Sequence, residues 1–463
     1  MTSRSQSFMA GEAVLADTLT EQLILARNAA AYEATGVSVL YKYLPNTSVG
    51  DLYAWSKNYE RIAVQQDSGI YSDVYCNFGY DMLGASLLGC FANLKTEGAE
   101  NHFDFAVNEY YAETVGDSDG YMYEYMQSLA FDEDRMYLMA SDYLIDTVRA
   151  FYCIPANADM LAQIADEDIL GLGRPNTAED LAAAATGGRW TYETLLRYGA
   201  LYGASSDAVG LAIAPDAVSA AGLLYTSGVS LYEGERDNAP LYALAEQLSK
   251  LMRAKGVALE KENGADAVRA RFTANGALFG GIVMLGSLEA ADYRNDDSGV
   301  LILPVPVHMS GVEYKTHIHD VGRLVAISAM SDSFAPASAL LNYQSTHSSE
   351  VLASYFEREL LTGALAKDGA LYAANLSVLT YMRENVGGSR DAAIENAASM
   401  LASNMSAASP AGTVSFASLR WQDILASEAY DATYVRSYYR MLREEKLRVA
   451  RLVYLNGATM LPR

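Results

Sequence analysis

The sequence has 463 residues, of which 51% are hydrophobic and 19% charged, a composition typical of a folded protein larger than one hydrophobic core. The net charge of −24 argues against a nucleic-acid-binding surface and against binding to anionic lipid, because both need clustered Lys and Arg. The three cysteines are widely spaced and give neither a disulfide framework nor a zinc site.

The first part of the chain alternates between predicted helices and strands. This alternation predicts an α/β layer with a largely parallel sheet. The predicted elements are a helix over 18–34 that ends at Gly36, a strand over 37–44, a helix over 51–69, a strand over 72–78 and a helix that begins near Tyr80 or Asp81.

The rest of the chain is mixed at first and mainly helical later. Thr191 is the predicted N-cap of a helix directly after Trp190, and the prolines in the strand predicted over 299–307 indicate an edge position or an early end. The other predictions are extended segments over 134–155, helix with an alanine-rich loop over 157–185, a long helical region after Trp190 to about 280, a strand over 323–329, and helix for almost everything after 333.

No stretch of the sequence carries a recognisable catalytic or metal-binding pattern. In "THIHD", a strand with a period of two would put His317 and His319 on one face, but zinc needs further ligands and few histidines remain elsewhere. We therefore interpret it as a polar segment beside a cleft or in a surface loop, and we expect no metal and no cofactor. A calcium-type loop, a phosphate-binding loop and a nucleophile elbow all fail on spacing.

Four stretches, taken in chain order, resemble the extracellular solute-binding proteins of ABC importers. The resemblance is to the sugar-type, maltose-binding-protein-like group, and most of all to its large clostridial-type lipoproteins. These stretches are "LTEQLILARNAAAYEATGVSV", "SDVYCNFGYDMLGASLLGCFANL", "GGRWTYETLLRYG", and "NGALFGGIVMLGSL" followed by "DDSGVLILPVPV" and "EYKTHIHD". In the third, the resemblance makes Trp190 a packing anchor of the second lobe.

The resemblance implies a periplasmic-binding-protein-like α/β fold with a helix-rich C-terminal part and two lobes around a cleft. We expect an N-terminal lobe of residues 1–145 plus 316–375 and a C-terminal lobe of 146–315 plus 376–463, joined by crossing hinge segments near 139–148, 315–322 and 365–385. The implied function is capture of a solute, a mono- or oligosaccharide, for delivery to an ABC permease by hinge closure. The open alternative is a secreted carbohydrate-active enzyme, or a surface sensor or scaffold, on the same fold.

The resemblance also suggests which residues line the cleft. It implies no catalytic residue, and the expected partners are the solute and a membrane permease, with no nucleic acid and a monomeric chain. The candidate ligand-binding residues are Tyr80, Asp81, Asp142, Tyr225, Met284, Tyr314 and His317.

The sequence departs from the group's pattern in two places. After the first crossing, "CIPANADM" has Asn157 but lacks the group's usual lysine. The group's opening strand, signal peptide and lipid-accepting cysteine are also missing, so we expect the natural protein to begin upstream of Met1 and to be an exported, membrane-anchored lipoprotein.

Overall fold

The computed structural model of the protein describes a defined part of the chain, and the statements below refer to that part. Its residues are 8, 11–12, 16–43, 58–96, 98, 100–103, 120–130, 134–164, 167–202, 208–229, 239–295 and 297–388. The predicted helical continuation beyond 388, the start of the helix predicted over 51–69 and the C-terminal part of the second predicted lobe lie outside these residues.

Helices and short strands alternate along the described chain. The helices are α1 Leu19–Thr35, α2 Asn58–Asp67, α3 Gly79–Leu87, α4 Tyr123–Leu129, α5 Ile145–Arg149, α6 Ala158–Gln163, α7 Ala178–Thr186, α8 Tyr192–Ala200, α9 Ala217–Tyr225, α10 Ala239–Met252, α11 Gly264–Thr273, α12 Ala291–Arg294, α13 Phe334–Thr346, α14 Ser349–Ser354 and α15 Gly369–Glu384, with 3₁₀ turns at Leu285–Glu289 and Gly363–Ala366 and a π-helix at Tyr355–Leu360. The strands are β1 Val74–Phe78, β2 Tyr152–Asn157, β3 Val209–Ile213, β4 Val257–Leu259, β5 Ala277–Phe279, β6 Val283–Met284, β7 Val300–Pro304 and β8 Arg323–Ile327.

Helix α1 begins and ends where the sequence predicts, because its caps are local. The Thr18 hydroxyl accepts a hydrogen bond from the Glu21 backbone N–H at 3.2 Å, and the Glu21 carboxylate accepts one from the Thr18 N–H at 3.1 Å, which forms a capping box. Gly36 closes the helix with a φ of 71°, a left-handed conformation that favours glycine.

Two sheets organise the described residues. In the smaller sheet, β1 pairs antiparallel with β8, from Val74 opposite Ile327 to Phe78 opposite Arg323. In the larger sheet, the strand order is β4-β3-β5-β2-β6, and β7 pairs with β2 as well. Strand β3 is parallel to β4 and β5, whereas β2 is antiparallel to β5, β6 and β7.

The prediction of a largely parallel sheet in the first part of the chain is wrong. Residues 37–43 form no strand, so the helix–strand alternation is broken there. The partner of β1 is instead β8, which comes from a distant part of the sequence and runs antiparallel. Helix–strand order predicts a parallel sheet only when consecutive strands pair with each other.

Two other helix predictions need correction. The alanine-rich stretch predicted as a loop is the body of α7, whose N-cap Thr177 forms a capping box with Asp180. The long helical region predicted up to about 280 is interrupted by the short strands β3, β4 and β5. These strands have three to five residues, and each contains an alanine, which is common in helices. Apolar runs of this length do not distinguish a strand from a helix in the sequence.

Trp190 and β7 match their predictions. Trp190 is buried, its indole N–H donates to the Pro304 carbonyl at 2.7 Å, and its ring lies 5.7 Å from that of Phe279, which confirms a packing anchor. Strand β7 ends at Pro304, as the prolines indicate, and its residues are buried.

The side chain of Asn375 on α15 satisfies backbone groups of β7. Its Oδ1 accepts from the Ile302 N–H at 2.6 Å, and its Nδ2 donates to the carbonyls of Val300 at 2.9 Å and Leu365 at 2.8 Å. Asn375 is fully buried, so these groups have no access to water. One amide therefore takes the place of a neighbouring strand, because buried backbone groups must be paired.

We predict that Asn375→Ala lowers the free energy of unfolding by about 3 kcal/mol, because it leaves buried donors and acceptors unpaired. Urea unfolding measures the change. The control is Ser377→Ala, an exposed position on the same helix, which we expect to change stability by less than about 0.5 kcal/mol. Equal stability of the Asn375 variant and the wild type would contradict this role.

Candidate ligand-binding site

Three chain segments pair side by side near the centre of the described residues. Phe151 bridges antiparallel to Ile318, and Thr316 bridges parallel to Val386. We refer to residues 150–152, 316–319 and 385–387 together as the three-segment ribbon. Each of its segments lies within or directly beside one of the segments predicted to cross between lobes.

Backbone hydrogen bonds hold the three-segment ribbon together. On one side of the central segment, the Tyr152 N–H donates to the His317 carbonyl at 3.2 Å, and the His319 N–H donates to the Ala150 carbonyl at 2.9 Å. On the other side, the Thr316 N–H donates to the Asn385 carbonyl at 2.7 Å. The central segment is thus extended and paired on both edges.

Both histidines of the central segment face helix α9, as the period of two predicts. The His317 ring lies 6.4 Å from that of Tyr225, the last residue of α9. His319 lies on the same side, within electrostatic reach of Asp216, the N-cap of that helix, and 5.6 Å from the ring of Tyr152. Helix α9 therefore lies beside the ribbon, with one end near each histidine.

Close packing through Gly222 holds α9 against the ribbon. A Cβ atom at this position would lie 2.7 Å from Cγ2 of Ile282 and 3.3 Å from Cδ1 of Tyr152. Any larger residue would push the helix away from Tyr152. The absence of a side chain at 222 thus sets the distance between α9 and the three-segment ribbon.

The two histidines have opposite electrostatic surroundings. Burial, assisted by the charge of Lys315, lowers the pKa of His317 to about 4, so this ring is a neutral aromatic surface at pH 7. Burial also acts to lower the pKa of His319, but the Asp320 carboxylate, 2.7 Å from Nδ1, and Asp216 outweigh it and raise that pKa. His319 therefore carries a larger share of positive charge than a free histidine.

Two tyrosine hydroxyls belong to the same electrostatic neighbourhood. Burial raises the pKa of Tyr125, and the Asp320 charge adds to the effect. Burial likewise raises the pKa of Tyr152, with further contributions from Asp320, Tyr125 and Asp216. Both phenols stay protonated at physiological pH and keep an O–H group that can donate a hydrogen bond.

Four of the sequence-predicted residues lie at the three-segment ribbon. His317 and Tyr225 face each other, and Met284 in β6 pairs in register with Tyr152. Tyr80, in the first turn of α3, is half-buried, and its backbone N–H donates to the Asp320 carbonyl at 3.1 Å. Asp81, the next residue along α3, is buried.

Of the remaining predicted residues, Tyr314 and Asp142 contact α15 instead. The Tyr314 ring stacks on that of Tyr381 with centroids 5.3 Å apart, and its hydroxyl hydrogen-bonds to Thr316 at 2.9 Å. Both oxygens of the buried Asp142 carboxylate accept hydrogen bonds from Arg383, at 2.5 and 2.9 Å. These interactions tie the segments before and after the ribbon to one another.

Sequence reasoning did not select several polar residues beside the ribbon. These are Tyr125, Tyr152, Asp216, His319 and Asp320. The last two belong to the "THIHD" stretch, which is interpreted above as a polar segment beside a cleft or in a surface loop, with no binding role for either side chain. In the part of the chain that the structure describes, no group of three His, Cys, Asp or Glu side chains could hold a metal ion. Asp216 had a local signal, a capping pattern before "AVSAAGLLY", which the prediction of continuous helix concealed.

A separate open groove of about 540 Å³ runs along α15. Its lining includes Tyr372, Ser377, Thr380, Tyr381 and Glu384, and no residue of the three-segment ribbon contributes to it. The groove meets the site described above only through the stacking of Tyr381 on Tyr314. The groove has aromatic and carboxylate groups of its own, whereas the histidines and the aspartates described above lie outside it.

Comparison with known proteins gives matches to solved structures. The chain is similar to an uncharacterized protein from Listeria monocytogenes EGD-e (TM-score 0.56, 13% identity, 93% of this chain and 97% of that one). It is also similar to a cyclo/maltodextrin-binding protein complexed with maltotetraose (TM-score 0.54, 12% identity, 94% of each chain). A third similar structure is an extracellular solute-binding protein from Staphylococcus aureus in complex with maltose (TM-score 0.53, 11% identity, 95% of this chain and 96% of that one).

These similarities define the fold of the chain. It is an α/β fold of the periplasmic-binding-protein type, as the sequence predicts, and the described part after residue 333 is helix-rich. No family model matches the sequence, and no curated protein matches it.

We predict that removing Arg383 destabilises the protein more than removing the whole Asp142–Arg383 pair. Arg383→Met leaves a buried carboxylate without a partner and should cost about 3–5 kcal/mol. The double variant Asp142→Leu/Arg383→Met should recover much of that loss. Urea unfolding of the two single variants and the double variant measures the coupling, and strictly additive losses would contradict a paired structural role.

We predict that His317 makes the protein less stable in acid. Its pKa is lower in the folded than in the unfolded chain, so its contribution to stability is present above about pH 6.5 and is lost as the pH falls toward about 4. His317→Phe should remove up to roughly 3 kcal/mol of that loss, measured by urea unfolding between these pH values. His347→Phe, at an exposed position, is the control, and an unchanged pH profile for the His317 variant would contradict the prediction.

Proposed function

We propose that this protein is the solute-binding component of an ABC importer and that it binds a carbohydrate beside the three-segment ribbon. In this proposal, residues 1–145 plus 316–375 form one lobe and 146–315 plus 376–463 form the other. The ribbon joins the lobes and acts as the hinge. The bound solute is a mono- or oligosaccharide, and the receiving partner is a membrane permease.

The observation that carries the proposal is the group of side chains between α9 and the ribbon. A sugar ring has apolar faces that pack on aromatic rings and hydroxyl groups that bind carboxylates. The half-buried Tyr225 supplies an aromatic surface, the buried ring of neutral His317 lies next to it, and the buried ring of Tyr152 lies beside α9. Asp216 and Asp320 supply acceptors. The fold supports the same function, because two similar structures hold maltose or maltotetraose.

The arrangement of the ribbon supports hinge closure. Tyr80 on α3 is hydrogen-bonded to Asp320, directly after the central segment, and Tyr225 reaches the ribbon from α9; the two helices belong to different proposed lobes. A solute that contacts both sides binds the closed form more tightly than the open form, so binding shifts the population toward closure. The closed form is the one that the permease would recognise. Tyr80, Asp81, Tyr225, Met284 and His317 are our proposed ligand-binding residues; Asp142 and Tyr314 support the hinge.

The proposal assigns no catalytic residue and no cofactor. It places the natural protein outside the cell as a monomeric lipoprotein. The net charge of −24 fits this setting and gives no support for a nucleic-acid partner. Among the described helices, none is long and apolar enough to cross a membrane.

Ligand-induced thermal stabilisation tests the proposal. We expect one or more sugars in a panel that includes maltose and maltotetraose to raise the Tm, because a ligand at 100 times its Kd stabilises the folded state by about 2.7 kcal/mol. Calorimetry should then show that Tyr225→Ala weakens binding at least about tenfold, from loss of stacking. Tyr372→Ala, in the groove along α15, should leave affinity unchanged.

Other outcomes would contradict the proposal in distinguishable ways. Sugar cleavage products, detected by chromatography after long incubation, would favour a carbohydrate-active enzyme. Binding that depends on Tyr372 and not on Tyr225 would move the site to the groove. No stabilisation by any sugar would favour a sensor or scaffold.

A further inference from the structure

The half-buried carboxylates at the proposed site are reachable from solvent. The Asp320 side chain is 39% exposed although its Oδ1 lies 2.7 Å from His319. Asp216 is also partly exposed, and among the described residues its carboxylate accepts one hydrogen bond, at Oδ1 from the Ser219 N–H that it caps. A carboxylate has about four acceptor positions, so both side chains keep the capacity to bind hydroxyl or ammonium groups of a solute.

The cationic side chains nearest the three-segment ribbon are already paired with carboxylates. Lys315, directly before the central segment, contacts Glu124 and Glu313, each at 2.8 Å. Arg383, next to the third segment, is bidentate with Asp142. The Lys315 ammonium group and the Arg383 guanidinium group would each have to leave these ion pairs before binding a negatively charged solute.

Of the next two cations along the chain, Arg149 is paired with carboxylates in the same way, whereas Arg323 makes mainly uncharged contacts and its Nε has no hydrogen-bond partner among the described residues. Arg149 contacts Asp146 at 2.5 Å and Glu289 at 2.7 Å. The Arg323 guanidinium lies 4.0 Å from the centre of the Phe78 ring, donates to Asn77 at 3.2 Å and lies 3.5 Å from Asp146. Among the described residues of the three-segment ribbon, His319 is the group that carries positive charge; Asp320 contacts it, and Asp216 lies within electrostatic reach.

This distribution of charge has a consequence for solute choice. A negative group near Asp216 and Asp320 would lose hydration, meet two like charges and find its potential partners in existing ion pairs. A neutral hydroxyl can donate to the same carboxylates without this cost. An ammonium group would gain attraction from both.

We propose that the site selects saccharides by charge: it accepts neutral and amino-substituted sugars and rejects uronic acids and sugar phosphates, with Asp216 and Asp320 as the specificity-determining residues. This inference rests on the proposed function, because it assumes that the solute binds at the three-segment ribbon. It extends that function from carbohydrates in general to a class defined by charge.

Sugars that share one ring and differ at one charged substituent test the inference. The probes are glucose, glucosamine and glucuronate, with the corresponding galactose series, measured by calorimetry at about pH 6.5 in low salt. We expect each acid to bind at least about 30-fold more weakly than its neutral counterpart, and each amine at least as tightly as the neutral sugar. Added salt should reduce the difference.

Conservative variants identify the residues responsible. Asp216→Asn keeps an N-cap side chain, and Asp320→Asn keeps the shape while removing the charge. Each should reduce the discrimination against the acids about fivefold or more, with urea unfolding used to verify that the variant is folded. Asp332→Asn, at an exposed position, is the matched control and should leave the discrimination unchanged.

Each possible result has a separate meaning. If the acids bind as tightly as the neutral sugars, charge selection is wrong while the solute-binding function stands. If the acids are rejected equally by the wild type and by both carboxylate variants, the assignment to Asp216 and Asp320 is wrong. If no sugar of any charge binds, the proposed function fails, and the inference fails with it.

Discussion

The backbone pairing of residues 316–319 with segments on both sides is the constraint on which the rest of the structure depends. An extended central segment must alternate its side chains, so His317 and His319 point to one side while Thr316 and Ile318 point to the other. Helix α9 can occupy the first side because Gly222 leaves room for the Tyr152 ring. The aromatic and carboxylate groups of the site are consequences of this arrangement.

Ion pairs around the ribbon serve the fold and shape the site at the same time. Asp142–Arg383 and Lys315–Glu124 both join chain segments far apart in the sequence. Burying a charge is costly unless it is paired, so the buried Arg383 cannot easily leave Asp142. Lys315–Glu124 is more exposed and contributes less. In the proposed hinge, the buried pair therefore stabilises the crossing region and also occupies a cation that a solute could otherwise bind.

Locally determined features could be predicted from the sequence, and features set by distant partners could not. The caps of α1 and α8, the burial of Trp190 and the end of β7 at Pro304 depend on neighbours within a few residues or on the chemistry of one residue type. The pairing of β1 with β8 depends on where a strand over 200 residues away is placed. The site has the same dependence on distant partners. His317 and Tyr225 were identified through a resemblance, but the contact between their rings is seen only in the three-dimensional structure.

Asp216 illustrates why a proposed binding residue can be missed even when its local role is clear. Its carboxylate caps α9 through Oδ1, and the same group faces His319 on the ribbon. N-capping alone explains an aspartate at this position, so nothing in the sequence suggests that the residue has a further role. Asp216 has a possible second role, in the proposed solute site, because α9 begins close to the His319 imidazole on the ribbon. A side chain that satisfies a local rule is therefore not excluded from function, and helix caps that border a hinge are a reasonable place to search for such residues.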